Sequence, residues 1–503
     1  MQTTVLQLAE SVNHDTRKMS GVACGKMSGV AYDTAWAARI INEEGKPLFP
    51  ECLQWLLENQ YPDGSWGSQA VNYHDRLLST LSAVMALKEI NENKYYGYIQ
   101  RGQAYIWENM ENLTMDDYRL IGSELLFPSL MEQAESMGLD VPYMKVYLRE
   151  KDAKLKKIDE SLWYSPLTTL SFSLEFLGDA VDVERLKYVQ LPNGSVANSP
   201  AATAFFLRYI KNARALEYLK EILVSTGDGS VMTVYPIDVF EYGWTLYNLM
   251  LAGLYFERYT EICNFLLEHL GSSGVGSSTG SPVADADDTA VVLKVLHDMG
   301  YPVDVCVLDK YNVGDYYLTF NFELDPSVST NIHVLDFVKS CLEFPEREDV
   351  VERLVHFLRK EMHCGGFWID KWHASPYYPT SHAILALCDV DSSLAQKAVS
   401  WILKTQHENG MWGENGGTVE ETSYVVQALM YYHRYAEHID TVSVSKAVSA
   451  LNRERLSLSS GAADLWVGKV LYTPVRVIWS SIASAQFMGE AGDFTTSGIV
   501  SWR

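Results

Sequence analysis

The stretch SPVADADDTA (281–290) places three carboxylates, Asp285, Asp287 and Asp288, within four positions. The residues between and around them are Ala, Val and Thr, which are more typical of a buried helix than of a solvated surface. Pro282 suits the first turn of a helix, and an apolar run follows the acids. The pattern therefore predicts a crowded acidic group at the start of a helix.

Three chemical interpretations fit this acidic group, and the residues alone leave them open. Negative charge stabilises the N-terminus of a helix, although one Asp would suffice. A metal site would need further ligands at helical spacing, as in a DDxxD pattern, but Thr, Ala and Val follow Asp288. The third interpretation is a general acid, because neighbouring negative charges raise the pKa of a carboxyl and keep a proton on it.

A proton held in a dry apolar pocket could be delivered to a carbon–carbon double bond. Because an alkene is a weak base, such a pocket must be preorganised, and aromatic faces must stabilise the carbocation that forms. The aromatic residues that we consider for this role are Tyr235, Trp244, Trp368, Trp372, Tyr378 and Trp412.

The composition limits the classes of function. A chain of 503 residues that is 47% hydrophobic is globular, with room for two or three domains. Its net charge of -24 argues against nucleic-acid and anionic-membrane partners. The seven cysteines have no metal-ligand spacing, and no apolar run is long enough to span a bilayer. We therefore expect a cytoplasmic protein without stable membrane association.

Apolar residues recur at three- and four-residue spacing, and a series of alternating strands is absent, so the predicted fold class is all-α. The segments with this spacing are Cys52–Leu57, Leu77–Ile90, Ala202–Leu207, Tyr242–Leu254, Thr289–Met299, Val350–Leu358, His382–Leu387 and Glu421–Tyr431.

Two connecting turns resemble each other: QYPDGSWG at 60–67 and QHENGMWG at 406–413, with a weaker relative, QLPNGS, at 190–195. A Gly that ends one helix, followed by a Trp that packs against the next, is typical of repeated helical hairpins. The repeats predict two related helical domains and give Trp66 and Trp412 a structural role.

The segment Asp285–Asp288 matches the DxDD motif of class II terpene cyclases, and the two turns match their QW-type repeats. From about residue 30 to about residue 480 the chain resembles class II diterpene cyclases of the copalyl and halimadienyl diphosphate synthase type. The segments that carry this resemblance are AYDTAWA (31–37), FPECLQWLLENQYPDGSWG (49–67), DRLLSTLSAVMAL (75–87), FPSL (127–130), VYPIDVFEYGW (234–244), STNIHVL (329–335) and, for the bacterial halimadienyl branch, KWH (371–373) with Tyr377, Tyr378 and His382.

The resemblance implies two (α/α) barrels in the βγ architecture, with the active site between them. The β domain would comprise residues 1–40 and 225–503, and the γ domain residues 41–224. Asp287 would be the proton donor, and Asp285 and Asp288 would position it and tune its acidity.

The implied substrate is geranylgeranyl diphosphate, which would close two rings and keep its diphosphate, since the DDxxD motif of class I enzymes is absent. A farnesyl diphosphate cyclase that makes a drimane-type product is the alternative, and a non-catalytic α/α scaffold is a remote one. The family also implies Mg²⁺, a downstream class I terpene synthase as partner and, as one form of assembly, a homodimer.

The diphosphate and its metal need ligands in an otherwise acidic chain. The basic segment Lys145–Lys157 is either a solvated helix face or a diphosphate site, for which Lys154, Lys156 and Lys157 are the candidates. The acidic residues that the family would use for Mg²⁺ correspond to Asp116, Asp117 and Glu124. His333 matches a position linked to the response to magnesium and substrate; a buried core His is the alternative.

The chain departs from its copalyl-forming plant relatives at two positions. Those enzymes organise the final deprotonation with a His and an Asn, where this chain has Phe172 and Thr233. Without that base, Phe172 would stabilise positive charge after ring closure. We therefore expect a product other than ent-copalyl diphosphate, of halimane or clerodane type.

Overall fold

The structure, a computed structural model, describes residues 27–114, 118–142, 145–256, 258–321, 323–453, 463–491 and 500–501. Its α-helices are α1 (Ala31–Ala38), α2 (Pro50–Glu58), α3 (Tyr73–Asn109), α4 (Ser123–Ser136), α5 (Lys145–Leu155), α6 (Val183–Leu186), α7 (Pro200–Tyr209), α8 (Ala213–Thr226), α9 (Asp238–Leu251), α10 (Tyr259–His269), α11 (Ala286–Asp298), α12 (Val328–Ser340), α13 (Arg347–Glu361), α14 (Tyr377–Leu387), α15 (Ser392–Lys404), α16 (Val419–Tyr435), α17 (Val442–Arg453) and α18 (Val475–Ala491). Two-residue strands are β1 (Leu254–Tyr255), β2 (Trp466–Val467), β3 (Leu471–Tyr472) and β4 (Val500–Ser501), paired as β1 with β4 and β2 with β3.

The second half of the chain forms a closed ring of helices. Helices α9, α11, α12, α14, α16 and α18 are buried along most of their length, and each packs against the next until α18 returns to α9. Helices α10, α13, α15 and α17 pack outside this ring and keep a polar face in solvent. Helices that are buried on most sides lie inside and amphipathic ones lie outside, which is the arrangement of an (α/α) barrel.

The first half forms a second, smaller ring. Helix α1 packs against α3, α3 against α4, and α4 against the 3₁₀ segment Thr169–Ala180, which contacts α7, and α7 returns to α1. Helices α2 and α8 pack on its outside. The predicted all-α class with two barrels is confirmed.

Within the described residues, none of the helices combines the length and apolarity needed to cross a bilayer.

The packing corrects the predicted domain boundaries. Helix α1, which we expected in the barrel that carries the DxDD motif, lies in the core of the first barrel. Val231, Tyr235 and Ile237 belong to that core as well, so the second barrel begins at α9 rather than at residue 225. Residues 1–26 lie outside the described part of the chain.

The same type of hydrogen bond occurs in six turns of the described chain. In each turn a backbone N–H donates to a Thr hydroxyl on a neighbouring helix. The donor–acceptor pairs are Trp66–Thr80, Val196–Thr203, Val231–Thr34, Val275–Thr289, Trp368–Thr380 and Trp412–Thr422, at 2.8–3.0 Å. The three tryptophans also donate their indole N–H to a carbonyl ten residues earlier. The repeat predicted from two clear copies is therefore present throughout both barrels.

A Gly with positive φ precedes the bonded residue in these turns because the chain crosses a neighbouring helix there. Gly64, Gly194, Gly366 and Gly410 have φ between +91° and +93°. A Cβ on Gly410 would lie 2.9 Å from the Lys446 carbonyl oxygen, closer than van der Waals contact permits. Both the backbone conformation and the lack of space therefore require Gly.

We expect Gly410→Ala to lower the free energy of unfolding by about 1–3 kcal/mol from backbone strain, with a further loss from the clash. Gly300→Ala is the matched control, since Gly300 also has a positive φ (+77°) but nothing within 4 Å of an added Cβ. Chemical denaturation of both variants measures the difference. Equal destabilisation by the two would contradict the proposed steric role of Gly410.

Candidate active site

The acidic group lies at the first turn of α11, an inner helix of the second barrel. Asp285 is the N-cap residue, and its Oδ1 accepts a hydrogen bond of 2.7 Å from the Asp288 backbone N–H. The backbone N–H groups of Asp285 and Ala286 donate to the carbonyls of Val275 and Thr319, at 2.9 Å each. Asp285 therefore caps the start of α11, as the helix-start interpretation predicts. The capped first turn fixes the positions of Asp287 and Asp288.

Asp287 points across to the neighbouring helix α12. Its Oδ1 lies 2.6 Å from His333 Nδ1, and His333 Nε2 lies 2.8 Å from His382 Nδ1 on α14. The side chain of His333 is 2% exposed, whereas that of Asp287 is 17% exposed. Three consecutive helices of the inner ring thus align one carboxyl and two imidazoles, with the carboxyl at the accessible end.

Aromatic rings enclose this row. The Trp244 ring centroid lies 4.7 Å from that of His333, and Tyr378 lies 6.2 Å from both Trp244 and His333. Trp466 extends the cluster at 5.0 Å from Tyr378. Because these rings exclude water and present π faces, they suit a site that must stabilise a cation. Trp244 and Tyr378 therefore lie close to Asp287, and their predicted contact with a carbocation stays a prediction.

Burial governs the protonation of the acids that flank Asp287. It raises the pKa of Asp285 to about 8, and Asp287 adds to this rise by repulsion. It also raises the pKa of Asp288 well above its ordinary value, with Asp285 as the next cause. We expected two ionised neighbours to hold a proton on Asp287. For Asp285 and Asp288 loss of solvent is the larger cause of the raised pKa, and the expectation for Asp287 stays a prediction.

The hairpin β2–β3 joins the site to the first barrel. Trp466 lies in the aromatic cluster, while the backbone N–H of Leu471 donates to Asp75 on α3 at 3.0 Å. The pKa of Tyr472 is raised by burial and then by Asp288, which lies close to it. The acidic group therefore faces the junction of the two barrels, as expected.

Known proteins resemble this chain along nearly its whole length. A type B diterpene cyclase of Mycobacterium tuberculosis is 33% identical over 486 residues, which cover 91% of this chain and 95% of that protein. The chain belongs to the class II diterpene cyclases. A family model described as the squalene-hopene cyclase C-terminal domain matches residues 317–431.

Two further comparisons extend this result to plant sequences and to a solved structure. A chloroplastic (-)-kolavenyl diphosphate synthase of Tripterygium wilfordii is 34% identical over 381 residues, 73% of this chain and 46% of that protein, so the cyclase spans under half of this relative. The structure of ent-copalyl diphosphate synthase from Streptomyces platensis matches with a TM-score of 0.80 and 26% identity, covering 97% of this chain and 99% of that one.

A buried ion pair links the two barrels of the cyclase beside the site. Lys469, in the β2–β3 hairpin, lies 2.6 Å from Glu175 Oε1 of the first barrel, and both side chains are fully buried. Its Nζ also donates to Ser199 at 2.6 Å, and Tyr32 donates to the same Glu175 oxygen at 2.9 Å. Such a pair is costly to break, because removing one partner leaves an uncompensated buried charge.

Phe172 and Thr233, the positions that depart from the plant pattern, border this ion pair. Lys469 Nζ lies 4.8 Å from the centroid of the Phe172 ring. Thr233 lies beside the Asp33 carboxyl, whose pKa burial raises to about 7. The Phe172 ring thus already has a protein cation near it, and its predicted contact with a carbocation stays a prediction.

Three other aromatic candidates lie outside the cluster around Asp287. Trp368 is fully buried in a repeat turn, where its indole N–H donates to Leu358, which gives it a structural role there. Tyr235 packs against Tyr218 in the first core, with ring centroids 6.0 Å apart. Trp372 is half-buried, and its carbonyl accepts from the β2–β3 hairpin at Val467.

The structure brings only two of the candidate diphosphate and metal residues into contact. Lys154 forms an ion pair with Glu124, which brings one predicted base and one predicted acid together. Lys156 and Lys157 are exposed. Asp116 and Asp117 lie outside the described residues. Because an ammonium already engages its carboxylate, Glu124 by itself does not fit a magnesium site.

His382 and Lys469 are the site residues whose roles the sequence pattern does not reveal. His382 stands in an apolar helix, and Lys469 in the apolar stretch LWVGKVLY at 465–472. A single ionisable residue in an apolar segment is a usable signal, since burial of such a group requires a partner. The partners, however, lie 49 and 294 residues away along the chain.

The raised pKa of Asp285 predicts a pH-dependent stability. The folded chain keeps this proton up to about pH 8, whereas the unfolded chain loses it near 3.8. This contribution to stability is therefore complete below the lower value and is lost as the pH rises toward the higher one. Asp285→Asn cannot ionise, yet it retains the side-chain oxygen of the cap.

We expect the free energy of unfolding of Asp285→Asn, measured relative to the natural chain, to rise steadily across this pH interval. Denaturant titrations at several pH values give the comparison. A difference that is independent of pH would show that Asp285 does not carry a raised pKa in the folded state.

Proposed function

We propose that this cyclase protonates the terminal alkene of geranylgeranyl diphosphate with Asp287 and releases a bicyclic diterpenyl diphosphate. The observation that carries the proposal is the geometry of Asp287: an accessible carboxyl, 2.6 Å from a buried His, at the edge of an aromatic cluster. Relatives named as kolavenyl and copalyl diphosphate synthases support a product that keeps its diphosphate.

The proposed reaction needs a proton donor, a cation site and exclusion of water. Transfer of the proton from Asp287 forms a C–H bond at one alkene carbon and leaves a tertiary cation at the other. Two of the three remaining double bonds then attack in turn, closing two rings and leaving the double bond beside the diphosphate intact. The rings of Trp244 and Tyr378 stabilise the positive charge without reacting with it. Loss of a proton from the final cation restores neutrality, so the overall reaction is an isomerisation.

The diphosphate does not take part in these steps, but it has to be held. We propose that Lys154 with Lys156 and Lys157 supplies positive charge for it, because this segment is the basic exception in a chain of net charge -24. The ion pair of Lys154 with Glu124 keeps that ammonium in place before the substrate binds.

Magnesium dependence is a further part of the proposal. Mg²⁺ would accompany the diphosphate and reduce its negative charge, with Asp116 and Asp117 as the protein ligands. Titration with EDTA, followed by addition of Mg²⁺, should abolish and then restore turnover. Full activity in EDTA would show that the lysines alone neutralise the diphosphate.

The direct test of function compares the natural chain with Asp287→Asn on geranylgeranyl diphosphate. Asn retains the shape and the contact with His333 but has no carboxylic acid proton, so we expect turnover to fall by at least about 1,000-fold. Products are analysed by mass spectrometry and NMR, with and without phosphatase treatment. A bicyclic C20 alcohol that appears only after phosphatase treatment is the expected result.

The same assay with farnesyl diphosphate determines the substrate length. A C15 bicycle formed in preference to the C20 product would keep the mechanism and change the substrate. A well-folded natural chain that converts neither substrate would contradict the proposed function and favour a non-catalytic α/α scaffold.

The setting of the reaction follows from its chemistry. A cyclised diphosphate still carries an intact leaving group, so we propose that a class I terpene synthase consumes it.

The six described cysteines are all free, and the net charge is strongly negative, which supports a cytoplasmic location. We also propose a homodimer, which sedimentation at micromolar concentration would test.

A further inference from the structure

One ring nitrogen of His382 forms a hydrogen bond, and the other is enclosed by aromatic rings. Its Nδ1 lies 2.8 Å from His333 Nε2, while its Nε2 is a buried atom without a hydrogen-bond partner among the described residues. The rings of Tyr378, Trp244 and Tyr424 surround it, with centroids at 4.4, 5.4 and 5.7 Å. This residue contacts Asp287 only through His333.

A neutral His carries one N–H, and the surroundings decide which nitrogen holds it. Burial lowers the pKa of His382 well below its ordinary value, so the ring is neutral. A proton on Nε2 would be a buried donor without an acceptor, which costs about 1–3 kcal/mol. A proton on Nδ1 instead donates to His333 and leaves only a lone pair facing the aromatic rings, a lesser cost.

This choice determines the protonation of the next two groups in the row. If His382 Nδ1 donates, His333 Nε2 is an acceptor, and the single proton of a neutral His333 is then on Nδ1. Nδ1 donates to Asp287 Oδ1 over 2.6 Å. Oδ1 is thereby an acceptor, so the acidic proton of Asp287 resides on the other oxygen, Oδ2.

We propose that His382 is a positioning residue that fixes the His333 tautomer and thereby places the transferable proton of Asp287 on Oδ2. The opposite tautomers would put that proton between Oδ1 and His333, where it is not available to an alkene. The donated hydrogen bond from His333 also stabilises the carboxylate that remains after transfer. This inference rests on the proposed function for its consequence, but not for its hydrogen bonds.

The hydrogen bonds can be measured without any catalytic assay. In the full chain labelled with ¹⁵N-histidine, two-dimensional NMR correlates each ring nitrogen with the ring C–H protons and distinguishes the two tautomers. Signals are assigned from the variants His333→Asn and His382→Phe. We expect both His333 and His382 to carry the proton on Nδ1. A proton on His382 Nε2, or a doubly protonated His382, would overturn the proposal.

The catalytic consequence is tested with two substitutions of different chemistry. His382→Phe keeps an aromatic ring of similar size but removes the donor, and we expect kcat to fall at least about 10-fold with little change in KM. His382→Asn places an amide N–H near the position of Nδ1, and we expect it to recover most of the activity. Melting temperatures of both variants identify any loss of folding.

The results of these experiments distinguish the positioning role of His382 from the proposed cyclase function. Unchanged kcat in His382→Phe, or equal loss in the Phe and Asn variants at matched melting temperature, would contradict the positioning role even if the natural chain is an active cyclase. If the natural chain lacks cyclase activity, the proposed function fails, and the NMR measurement still confirms or overturns the tautomer assignment.

Discussion

The contact between Asp287 and His333 is the interaction on which the site depends, because it joins two neighbouring helices of the inner ring. It forms only if α11 begins directly after its N-cap residue Asp285 and if α12 turns His333 toward the centre of the barrel. The N-cap of Asp285 meets the first condition, and the packing of α12 between α11 and α14 meets the second. The fold thus acts on the chemistry by fixing where two helices start and which faces they turn inward.

The same constraint explains the repeated turns. An (α/α) barrel has to reverse its chain after every helix, and each reversal must keep the next inner helix in register with the ring. In this protein a Gly that crosses a neighbouring backbone and a Thr that receives the following N–H perform this task in both barrels. The β2–β3 hairpin then joins the barrels through Lys469 and Glu175, an ion pair that water does not reach. Precise placement of a proton donor at the junction requires rigidity in both parts.

Much of this arrangement is readable from the sequence, because it depends on local pattern. The helical periodicity, the turns at Gly64 and Gly410 and the acids at 285–288 are all properties of short segments. The repeat turn at Trp368 escapes the sequence pattern, because it reads GGFW and lacks the Gln and the acidic or amide residue of the clear copies. The pairing of His382 with His333, and of Lys469 with Glu175, depends on contacts between distant segments, which a local pattern does not specify. Burial, which raises the pKa of Asp285 and Asp288, likewise arises only once the barrels are closed.

The central claim is that a proton from the protein starts the reaction and that the diphosphate survives it. Turnover in D₂O tests this most directly, because the acid exchanges its proton with solvent and then transfers deuterium to the alkene carbon. The account predicts a bicyclic product that carries deuterium at the ring carbon derived from the protonated alkene CH and keeps its diphosphate. A cyclic product without deuterium, formed with release of diphosphate, would show that ionisation starts the reaction and would contradict the account.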